Sequence, residues 1–408
     1  MRKDKKLIPR LRFPEFKDDG KWKIRPIEEI LDYERPDNYQ VSSTNYKNEG
    51  TPVLTANKSF ILGYTDEDFG IYKRLPAIIF DDFTVDNKFV HFPFKVKSSA
   101  IKILTPKGQD NLKFIHSVIS QIKFSAPEHK RYYISEYQKL QLPIPSIKEQ
   151  IKIADCLSSL DELIDTHNQK LGLLKQHKKG LMQNLFPQER EKIPRLRFKE
   201  FQNSGDWEIR ILQDVADKKI KWSFVGGPFG SSLKTNDYTN QGVRIIQLQN
   251  IGDSIFNNAY KIYTSETKAN ELISNNIYGG DIILSKMGDP VGRACIVPEK
   301  LGRCVMASDG IRIAVDKEKF SKYFIFSLIN SNRIRKSIEE RSTGSTRKRI
   351  GLDELKKTPV LIPKSLKEQQ KISSILFTVD NSITKQKEEI ELLQQHKKGL
   401  MQGLFPLL

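Results

Sequence analysis

An internal duplication is the feature that most constrains how this chain can fold. The segment LIPRLRFPEFKDDGKWKIR from Leu7 recurs as KIPRLRFKEFQNSGDWEIR from Lys192, a shift of 185 residues. Further along, KQHKKGLMQNLFP from Lys175 recurs as QQHKKGLMQGLFP from Gln394, a shift of 219 residues. The stretches that differ therefore lie between matching ends. The sequence predicts two similar frames that hold two different inserts, and so two different binding surfaces.

Charge and cysteine content narrow the class of protein. The chain has 408 residues, enough for two or three domains with their own cores. Its 68 Lys and Arg against 50 Asp and Glu give a net charge of +18, which favours a polyanionic partner, with nucleic acid ahead of a membrane surface. Three cysteines without zinc-site spacing, and no export signal or apolar run of membrane-spanning length, predict a cytoplasmic protein without an anchor.

The back of each frame is predicted to be a long helix. Residues 148–185 contain no proline, and apolar positions recur there in steps of three and four, as in a coiled-coil seam. About 38 residues correspond to roughly 57 Å, too long for one small domain, so we expect the two helices to pair with each other. The predicted seam comprises Leu157, Leu160, Ile164, His167, Leu171, Leu174, Lys178, Leu181 and Leu185, and then Leu376, Val379, Ile383, Gln386, Ile390, Leu393, Lys397, Leu400 and Leu404.

Polar residues interrupt this seam at matching points of the two helices. His167 and Gln386 occupy the same seam position in the two copies. Either could be a metal ligand or a catalytic group, but a polar residue within a coiled-coil seam more often sets the register of the helices. His177 and His396 lie in a basic helical patch and are interpreted as solvated surface groups.

The two inserts are predicted to be mixed α/β domains. In the first, TPVLTA, AIIFDDF and SAIKIL are predicted strands and NLKFIHSVISQI is a predicted helix. In the second, GVRIIQLQNI, GDIILSKMG, GRACIVP and GIRIAV are predicted strands, followed by one helix over residues 322–340. AIIFDDFTVDNKFV matches DIILSKMGDPVGRACIV in its order of buried strand, tight loop and strand. The duplication is therefore expected to include the inserts.

Loops carry the residues expected to contact a nucleic-acid backbone. GGPFGSSLK, residues 226–234, combines flexible backbone with Ser231 and Lys234, although a structural turn explains it equally well. RSTGSTRKRI, residues 341–350, is a stronger candidate, because its cations have no acidic neighbour within the segment. Its counterpart APEHKRYYIS mixes cations with two tyrosines, which suits backbone contact with stacking. The predicted cations are Lys130, Arg131, Arg341, Arg347, Lys348 and Arg349.

Base-reading side chains must accompany such contacts, because phosphate contacts alone do not report the sequence of a duplex. Arginine and lysine can read guanine, and asparagine and glutamine can read adenine. Residues of strands point alternately to two faces, so about half of any such set cannot reach a ligand. The candidates are Lys58, Arg74, Asn87 and Lys88 in the first insert and Arg244, Gln247, Gln249, Asn250, Lys286 and Arg293 in the second.

Together these segments resemble a known family. The duplicated frame, the phrases PRLRF and W-x-I-R, the two heptad helices and GPFGSSLK at the start of an insert resemble the specificity subunit of a type I restriction-modification enzyme. The resemblance covers essentially the whole chain. It implies an α+β fold in which two target-recognition domains, related by a pseudo-twofold axis, are joined by two long antiparallel coiled-coil helices. The expected recognition domains are residues 1–146 and 193–364. The first helix with its linker is expected at residues 147–192, and the second helix at residues 365–408.

The resemblance also implies a function and a set of partners. Each recognition domain would read one half of a bipartite double-stranded DNA target, while the helices set the spacer and dock two methyltransferase subunits. Restriction subunits complete the enzyme. Adenine N6 methylation would use S-adenosylmethionine bound by the methyltransferase subunits, and ATP with magnesium would be used by the restriction subunits. The chain itself would bind no cofactor or metal and would have no catalytic residue.

Two other classes of protein are alternatives, an enzyme complete in one chain, either a methyltransferase or a nuclease, and a protein-binding adaptor. A self-contained amino-methyltransferase needs an [NDS]PP[YF] element, and the nearest segment, GDPVG at residues 288–292, lacks its second proline and its aromatic residue. A metal-dependent nuclease needs clustered carboxylates with a lysine. Glu128 and Lys130 flank His129, but the sequence does not clearly place a second carboxylate with them, so ordinary surface charge is the preferred interpretation. A coiled-coil adaptor with basic protein-binding domains remains the alternative to a DNA reader.

Overall fold

The structure is a computed structural model that describes residues 7–57 and 59–406. These residues form a mixed α/β fold with two helices of 39 residues each. Spatial proximity divides the chain into two compact units, one of Met1–Gln169 with Glu388–Leu408 and one of Lys170–Lys387. Each long helix is thus divided near its middle between the two units. The four consecutive segments expected from the sequence remain a prediction.

The first unit is built from the first insert and the frame segments around it. Its strands are β1 (Lys23–Pro26), β2 (Leu31–Glu34), β3 (Thr51–Leu54), β4 (Ile61–Thr65), β5 (Ala77–Asp81), β6 (Asn87–Val90), β7 (Lys95–Val96), β8 (Ile101–Pro106) and β9 (Gln141–Ile144). The helices that begin in it are α1 (Ile27–Ile30), α2 (Leu112–Ile119) and α3 (Ile147–Leu185).

The second unit repeats this arrangement with longer connections. Its strands are β10 (Glu208–Ile211), β11 (Phe224–Gly226), β12 (Tyr238–Thr239), β13 (Val243–Ile246), β14 (Ile262–Thr264), β15 (Asn276–Tyr278), β16 (Ile282–Ser285), β17 (Ala294–Ile296), β18 (Arg303–Met306), β19 (Gly310–Ile313) and β20 (Pro359–Ile362). The helices that begin in it are α4 (Glu266–Glu271), α5 (Lys322–Ile329), α6 (Asn332–Glu340), α7 (Leu352–Lys356) and α8 (Leu366–Leu404).

Equivalent sheets confirm that the duplication includes the inserts. The first unit has a four-stranded antiparallel sheet of order β2-β8-β5-β6, and the second has one of order β11-β19-β16-β17. In each, the second half of the sheet is the predicted strand-loop-strand hairpin. A second sheet in each unit, β4-β3-β7 and β12-β14-β13-β18-β15, contains one parallel pair. Frame strands form the short pairs β1-β9 and β10-β20.

Strand β5 shows why the apolar runs of the inserts are continuous. Ile78 and Phe80 pack with helix α2, whereas Ala77 and Ile79 belong to a second cluster on the opposite side of the strand. Because successive side chains of a strand alternate between its faces, a strand covered on both sides needs apolar residues at every position. The same burial on both faces is found for β16.

One predicted helix is wrong in its extent. Residues 322–340 form two helices, α5 and α6, with a break at Asn330 and Ser331. The amide of Asn330 donates to the carbonyl of Ala294 at 3.2 Å and accepts from its N–H at 3.3 Å, while the Ser331 hydroxyl donates to the Leu328 carbonyl at 2.6 Å. Side chains that compete for backbone partners favour a helix boundary over a helix interior.

In each unit, a tryptophan from the front of the frame packs against the phenylalanine that follows a long helix. Trp22 meets Phe405, and Trp207 meets Phe186, with ring centroids 6.3 Å apart and rings nearly perpendicular in both pairs. Beside them, the N–H of Leu11 donates to the carbonyl of Gly403 at 2.8 Å, and the N–H of Leu196 donates to that of Asn184 at 2.8 Å. The LFP segment at the end of α8 therefore completes the core of the first unit, and that of α3 completes the core of the second.

The two long helices pair in antiparallel fashion within each unit. In the first unit, His167 lies 3.4 Å from Glu389, and Asp161 pairs with Lys397, so numbers fall along one helix as they rise along the other. In the second unit, Lys178 pairs with Asp380 at 2.7 Å. All predicted seam positions are buried or half-buried, and none of the described helices is long and apolar enough to cross a membrane.

Candidate nucleic-acid interface

The second unit contains an open cleft of about 740 Å³ beside its two sheets. Its walls are the loop after β11, the turn after β13, the hairpin loop between β16 and β17, and the basic loop after α6. Of the side chains predicted to contact DNA, Gln247, Gln249, Arg293 and Arg347 line this cleft. Residues that are up to a hundred positions apart in the sequence are thus brought to one surface.

Two glutamines present amide groups to the cleft. The side chain of Gln249 is exposed, while that of Gln247 is half-buried and donates from Nε2 to the hydroxyl of Tyr238 at 3.0 Å. This hydrogen bond fixes the orientation of the Gln247 amide and leaves its oxygen as an acceptor. A fixed amide beside a free one is a suitable pair of groups for reading the edge of a base.

Two arginines give the cleft its positive charge. Arg347 is exposed, and no acidic partner for it is found in the described part of the chain. The Nε of Arg293 is buried and has no hydrogen-bond acceptor there either. A buried donor without an acceptor costs free energy, so an acceptor on a bound molecule could pair with this Nε.

The basic loop of residues 341–350 is more neutralised than the sequence indicates. Arg341 lies 3.7 Å from Glu354, Arg349 lies 2.7 Å from Asp309, and Lys348 pairs with Glu339. All three carboxylates lie outside residues 341–350. Glu339 is on α6, Glu354 is on α7, and Asp309 is in the turn between β18 and β19. Exposed ion pairs of this kind contribute little to stability, so these cations can exchange a carboxylate for a phosphate.

Backbone hydrogen bonds hold this loop against the hairpin loop between β16 and β17. The N–H of Gly288 donates to the carbonyl of Lys348 at 3.1 Å, and the N–H of Ile350 donates to that of Lys286 at 3.0 Å. Lys286, half-buried, therefore lies beside the basic loop. Ser231 and Lys234 are exposed on the loop that follows β11, at the other side of the cleft.

Two of the predicted base readers are buried and support the cleft from behind. Arg244 donates to Asn258 at 3.3 Å and to the Tyr260 carbonyl, and its guanidinium lies over the ring of Tyr263. Asn250 is fully buried and donates to the carbonyls of residues 257 and 260 at 2.8 and 2.9 Å. Both side chains bind one loop in this structure, and neither lines the cleft. For Arg244, on strand β13, this agrees with the alternation of strand residues between two faces.

The candidates of the first unit are spread over several loops. Arg74 pairs with Glu34 and lies 5.5 Å from the ring of Tyr72, while Asn87 and Lys88 are half-buried on β6. Asn87 accepts from the Ser120 hydroxyl at 3.4 Å. Lys58 lies outside the described residues.

The basic and aromatic segment of the first unit differs from its expected form. Lys130 lies 3.0 Å from Glu136 and 3.1 Å from Glu128, and hydrogen bonds to these two carboxylates raise the pKa of Lys130. Tyr132 and Tyr133 are buried and cannot stack on a base. The guanidinium carbon of Arg131 instead lies 5.8 Å from the ring centroid of Phe83. Here the expectation of tyrosine stacking is wrong, because both rings are needed in the core.

Sequence reasoning missed Phe229, which lines the cleft between the glycines of GPFG. The sequence could have indicated this residue, because an aromatic residue within the turn-forming segment GPFG is a poor candidate for the core. No cluster of three or more His, Cys, Asp or Glu side chains suited to a metal is found among residues 7–57 and 59–406.

This duplicated α/β frame with its antiparallel helices and its open cleft is that of a DNA specificity subunit. Residues 204–394 match the family model described as Type I restriction modification DNA specificity domain. Over 402 residues the chain is 30% identical to the specificity subunit of the Escherichia coli type I restriction enzyme EcoR124I/EcoR124II, with 93% of each chain covered. The chain belongs to the family of type I restriction enzyme specificity subunits, as its frame segments predicted.

Other relatives agree with this assignment. The chain is 24% identical over 401 residues to the MjaVIII specificity subunit of Methanocaldococcus jannaschii, covering 92% of this chain and 87% of that one. Among solved structures, the S subunit of the type I restriction-modification system from M. genitalium matches with a TM-score of 0.65 at 16% identity, over 98% of this chain and all of that one. A chain solved in work on complex assembly of the type I system matches with a TM-score of 0.53 at 14% identity, over 94% and 97%. These two structures support the fold.

Proposed function

We propose that this chain reads a bipartite DNA target, with one recognition domain for each half. The observation that carries the proposal is the cleft of the second unit, where Gln247 and Gln249 lie beside Arg293 and Arg347. Amide groups read adenine and guanidinium groups read guanine or hold phosphate, so this set combines base contacts with backbone contacts. The net charge of +18 supports the same conclusion.

The first unit is proposed to read the other half-site with a different set of side chains. Its four-stranded sheet has the same strand order as that of the second unit, while its loops carry other residues. The proposed contacts are Arg74, Asn87, Lys88, Lys130 and Arg131, together with Lys58. Two domains with one framework and different loops would recognise two different half-sequences.

The two long helices are proposed to set the spacer of the target. A helix of 39 residues is about 58 Å long, which corresponds to about 17 base pairs of B-DNA. The paired helices would act as a ruler between the half-sites. They would also dock two methyltransferase subunits, one for each repeat of the frame.

The chain is proposed to act without catalysing a reaction itself. Methyltransferase subunits would bind S-adenosylmethionine and methylate adenine N6, and restriction subunits would use ATP with magnesium to cleave unmodified DNA. The complex would act in the cytoplasm, where the chromosome is. The specificity subunit would select the DNA sequence that directs both activities.

The decisive test is a map of methylated adenines. The chain is co-expressed with its cognate methyltransferase subunit in a host that lacks adenine methylation, and modified adenines are located by single-molecule sequencing. A bipartite motif with a constant gap would establish the proposal and identify the target. An assembled complex that binds its cofactor and yet leaves the DNA unmethylated would favour the protein-binding adaptor.

A further inference from the structure

Phe229 stands out as an apolar side chain at a polar surface. It is 86% exposed, more than any other large hydrophobic side chain recorded as exposed in the described residues. It lies at the tip of the loop after β11 and lines the cleft that also contains Gln249, Arg293 and Arg347. A single exposed apolar residue is common on protein surfaces. What distinguishes Phe229 is its place in a cleft beside amide and guanidinium groups, where its ring is available to a ligand.

The loop that presents Phe229 is firmly anchored. Its neighbours Pro228 and Leu233 are buried, and the N–H of Ser232 donates to the Phe229 carbonyl at 2.8 Å. The N–H of Gly227 donates to the carbonyl of Gly310 at 2.8 Å.

Close packing at Gly227 restricts the loop further. A Cβ atom at this position would lie 1.8 Å from the carbonyl oxygen of Ala307, so only glycine allows this approach of the two chain segments. The ring of Phe229 is therefore presented at the surface by a loop whose start, at Gly227, is packed against the backbone of Ala307.

The ligand chemistry that suits a fixed aromatic ring in a basic cleft is a stack of bases. Phosphates would meet the arginines and base edges would meet the glutamines. The apolar ring is then left for the faces of the bases or for the methyl group of a thymine, and its projection from the loop favours the faces. Proteins that deform DNA use phenylalanine in this manner, as a wedge between two base pairs. Aromatic stacking on bases is also largely independent of sequence, which distinguishes it from the reading of base edges by Gln249.

The first unit has a different residue at the equivalent position. Strands β2 and β11 are equivalent edges of the two four-stranded sheets, and each is followed after one residue by a buried proline, Pro36 and Pro228. The next residue is Asp37 in the first unit and Phe229 in the second, and both are exposed. A carboxylate cannot stack on a base and repels phosphate. An aromatic ring is thus presented by the loop after β11 and not by the equivalent loop after β2.

We propose that Phe229 inserts into the base stack of the half-site read by the second unit and unstacks one base-pair step there. This proposal rests on the proposed function, since it requires that the cleft bind duplex DNA. An unstacked step lowers the free energy needed to extrude a neighbouring base, and enzymes that modify a base must extrude it from the duplex. Phe229 is in this sense a positioning residue, which prepares the DNA for a partner enzyme and does not touch the reacting atoms.

The test uses the full chain assembled with its methyltransferase subunits, without S-adenosylmethionine, on duplexes that carry the mapped target. 2-Aminopurine, whose fluorescence rises when it is unstacked, replaces each adenine of both half-sites in turn. Phe229→Ala is compared with the parent, with Phe229→Trp, which restores a ring, and with Phe69→Ala, which removes a phenylalanine that is 60% exposed in the other unit.

The expected result is confined to one half-site. Phe229→Ala should abolish the fluorescence increase at one or more positions there and weaken binding by about 5- to 150-fold, the range that corresponds to loss of one stacked base. Phe229→Trp should restore both, and Phe69→Ala should change neither in that half-site. The affected half-site should be the one whose sequence preference is relaxed by Gln249→Ala.

Two outcomes separate this proposal from the proposed function. Parental fluorescence and affinity in Phe229→Ala, on a target that the parent prefers over a scrambled duplex, would overturn the wedge alone. If the parent itself shows no preference for the target over the scrambled duplex, the proposed function fails, and the wedge fails with it.

Discussion

The guanidinium of Arg197 makes two hydrogen bonds to the carboxylate of Glu368, from Nε at 2.8 Å and from Nη2 at 3.0 Å. A third, from Nη1, reaches the carbonyl of Gly205 at 2.7 Å. In the first unit Arg12 makes the same set, at 2.8 and 2.7 Å to Glu149 and 2.6 Å to the carbonyl of Gly20. The pair joins the front of each frame to the start of its long helix, across the insert that lies between them in the sequence.

Loss of this pair should destabilise the second unit strongly. The Glu368 side chain is 1% exposed, and Arg197→Ala would leave its charge buried without a counter-ion, with only the indole N–H of Trp207 at 3.2 Å still donating to it. Loss of one partner of a buried ion pair typically costs about 3–5 kcal/mol. We expect a clear decrease in the urea midpoint of unfolding. Arg195→Ala is the matched control, because Arg195 pairs with Glu191 at the surface and should be nearly neutral. Equal midpoints for the two variants would contradict a structural role for the buried pair.

Histidine 116 should make stability depend on pH. Burial, together with the charges of Lys113 and Lys88, lowers the pKa of His116 to about 4 from an ordinary value of 6.5. Between these values the unfolded chain binds a proton that the folded chain does not, so the free energy of unfolding should fall as the pH is lowered from about 6.5 to about 4. The slope from this group is at most about 1.4 kcal/mol per pH unit.

The measurement is urea unfolding of the parent and of His116→Gln at several pH values between 7.5 and 5. Glutamine does not titrate in this range, so His116→Gln should flatten the dependence of the free energy of unfolding on pH below pH 6.5 and leave that dependence unchanged above it. His177→Gln provides the control, since His177 is exposed on α3. Identical curves for His116→Gln and the parent would show that His116 is protonated equally in the folded and unfolded chains.

The sequence predicted the frame better than the contact residues, for a physical reason. Heptad spacing and repeated phrases report on burial, which is a local and periodic property. The first long helix, expected over residues 148–185, was therefore predicted within one residue of its bounds, and the whole seam predicted for the second lies within α8. The accessibility of a particular side chain depends on what folds over it. Arg244 is covered by the loop of residues 257–260, and Tyr133 by the core around Phe80. The burial of these two side chains depends on distant segments, so it could not be predicted from local spacing.

Arg347 should account for one phosphate contact of the second unit. It is exposed and has no ion pair among residues 7–57 and 59–406, whereas Lys348 is paired with Glu339. Arg347→Ala should lower the slope of log binding constant against log salt concentration by about 0.9. Combination with Lys348→Ala should weaken binding further.

The salt titration needs a control for the loss of one positive charge. Lys336→Ala removes an exposed cation of the same unit that pairs with Glu189 and lies outside the cleft. Its slope should equal that of the parent. An unchanged slope in Arg347→Ala with Lys348→Ala would show that the basic loop does not contact phosphate.

The length of the paired helices should determine the spacer of the target. The contacts of the first unit end at Gln169 on α3 and resume at Glu388 on α8, so seven residues inserted after Gln169 and seven after Lys387 keep the contacts within each unit. One heptad adds about 10.5 Å to each helix, or about 3 base pairs of DNA. We expect the methylated motif to keep both half-sequences and to gain a gap longer by about 3 base pairs. Insertion in one helix alone should abolish methylation, because it shifts the register of the pair, for example Lys178 relative to Asp380. If the double insertion is methylated with the parental gap, the helices do not measure the spacer, and the distance between the half-sites must be set by another part of the complex.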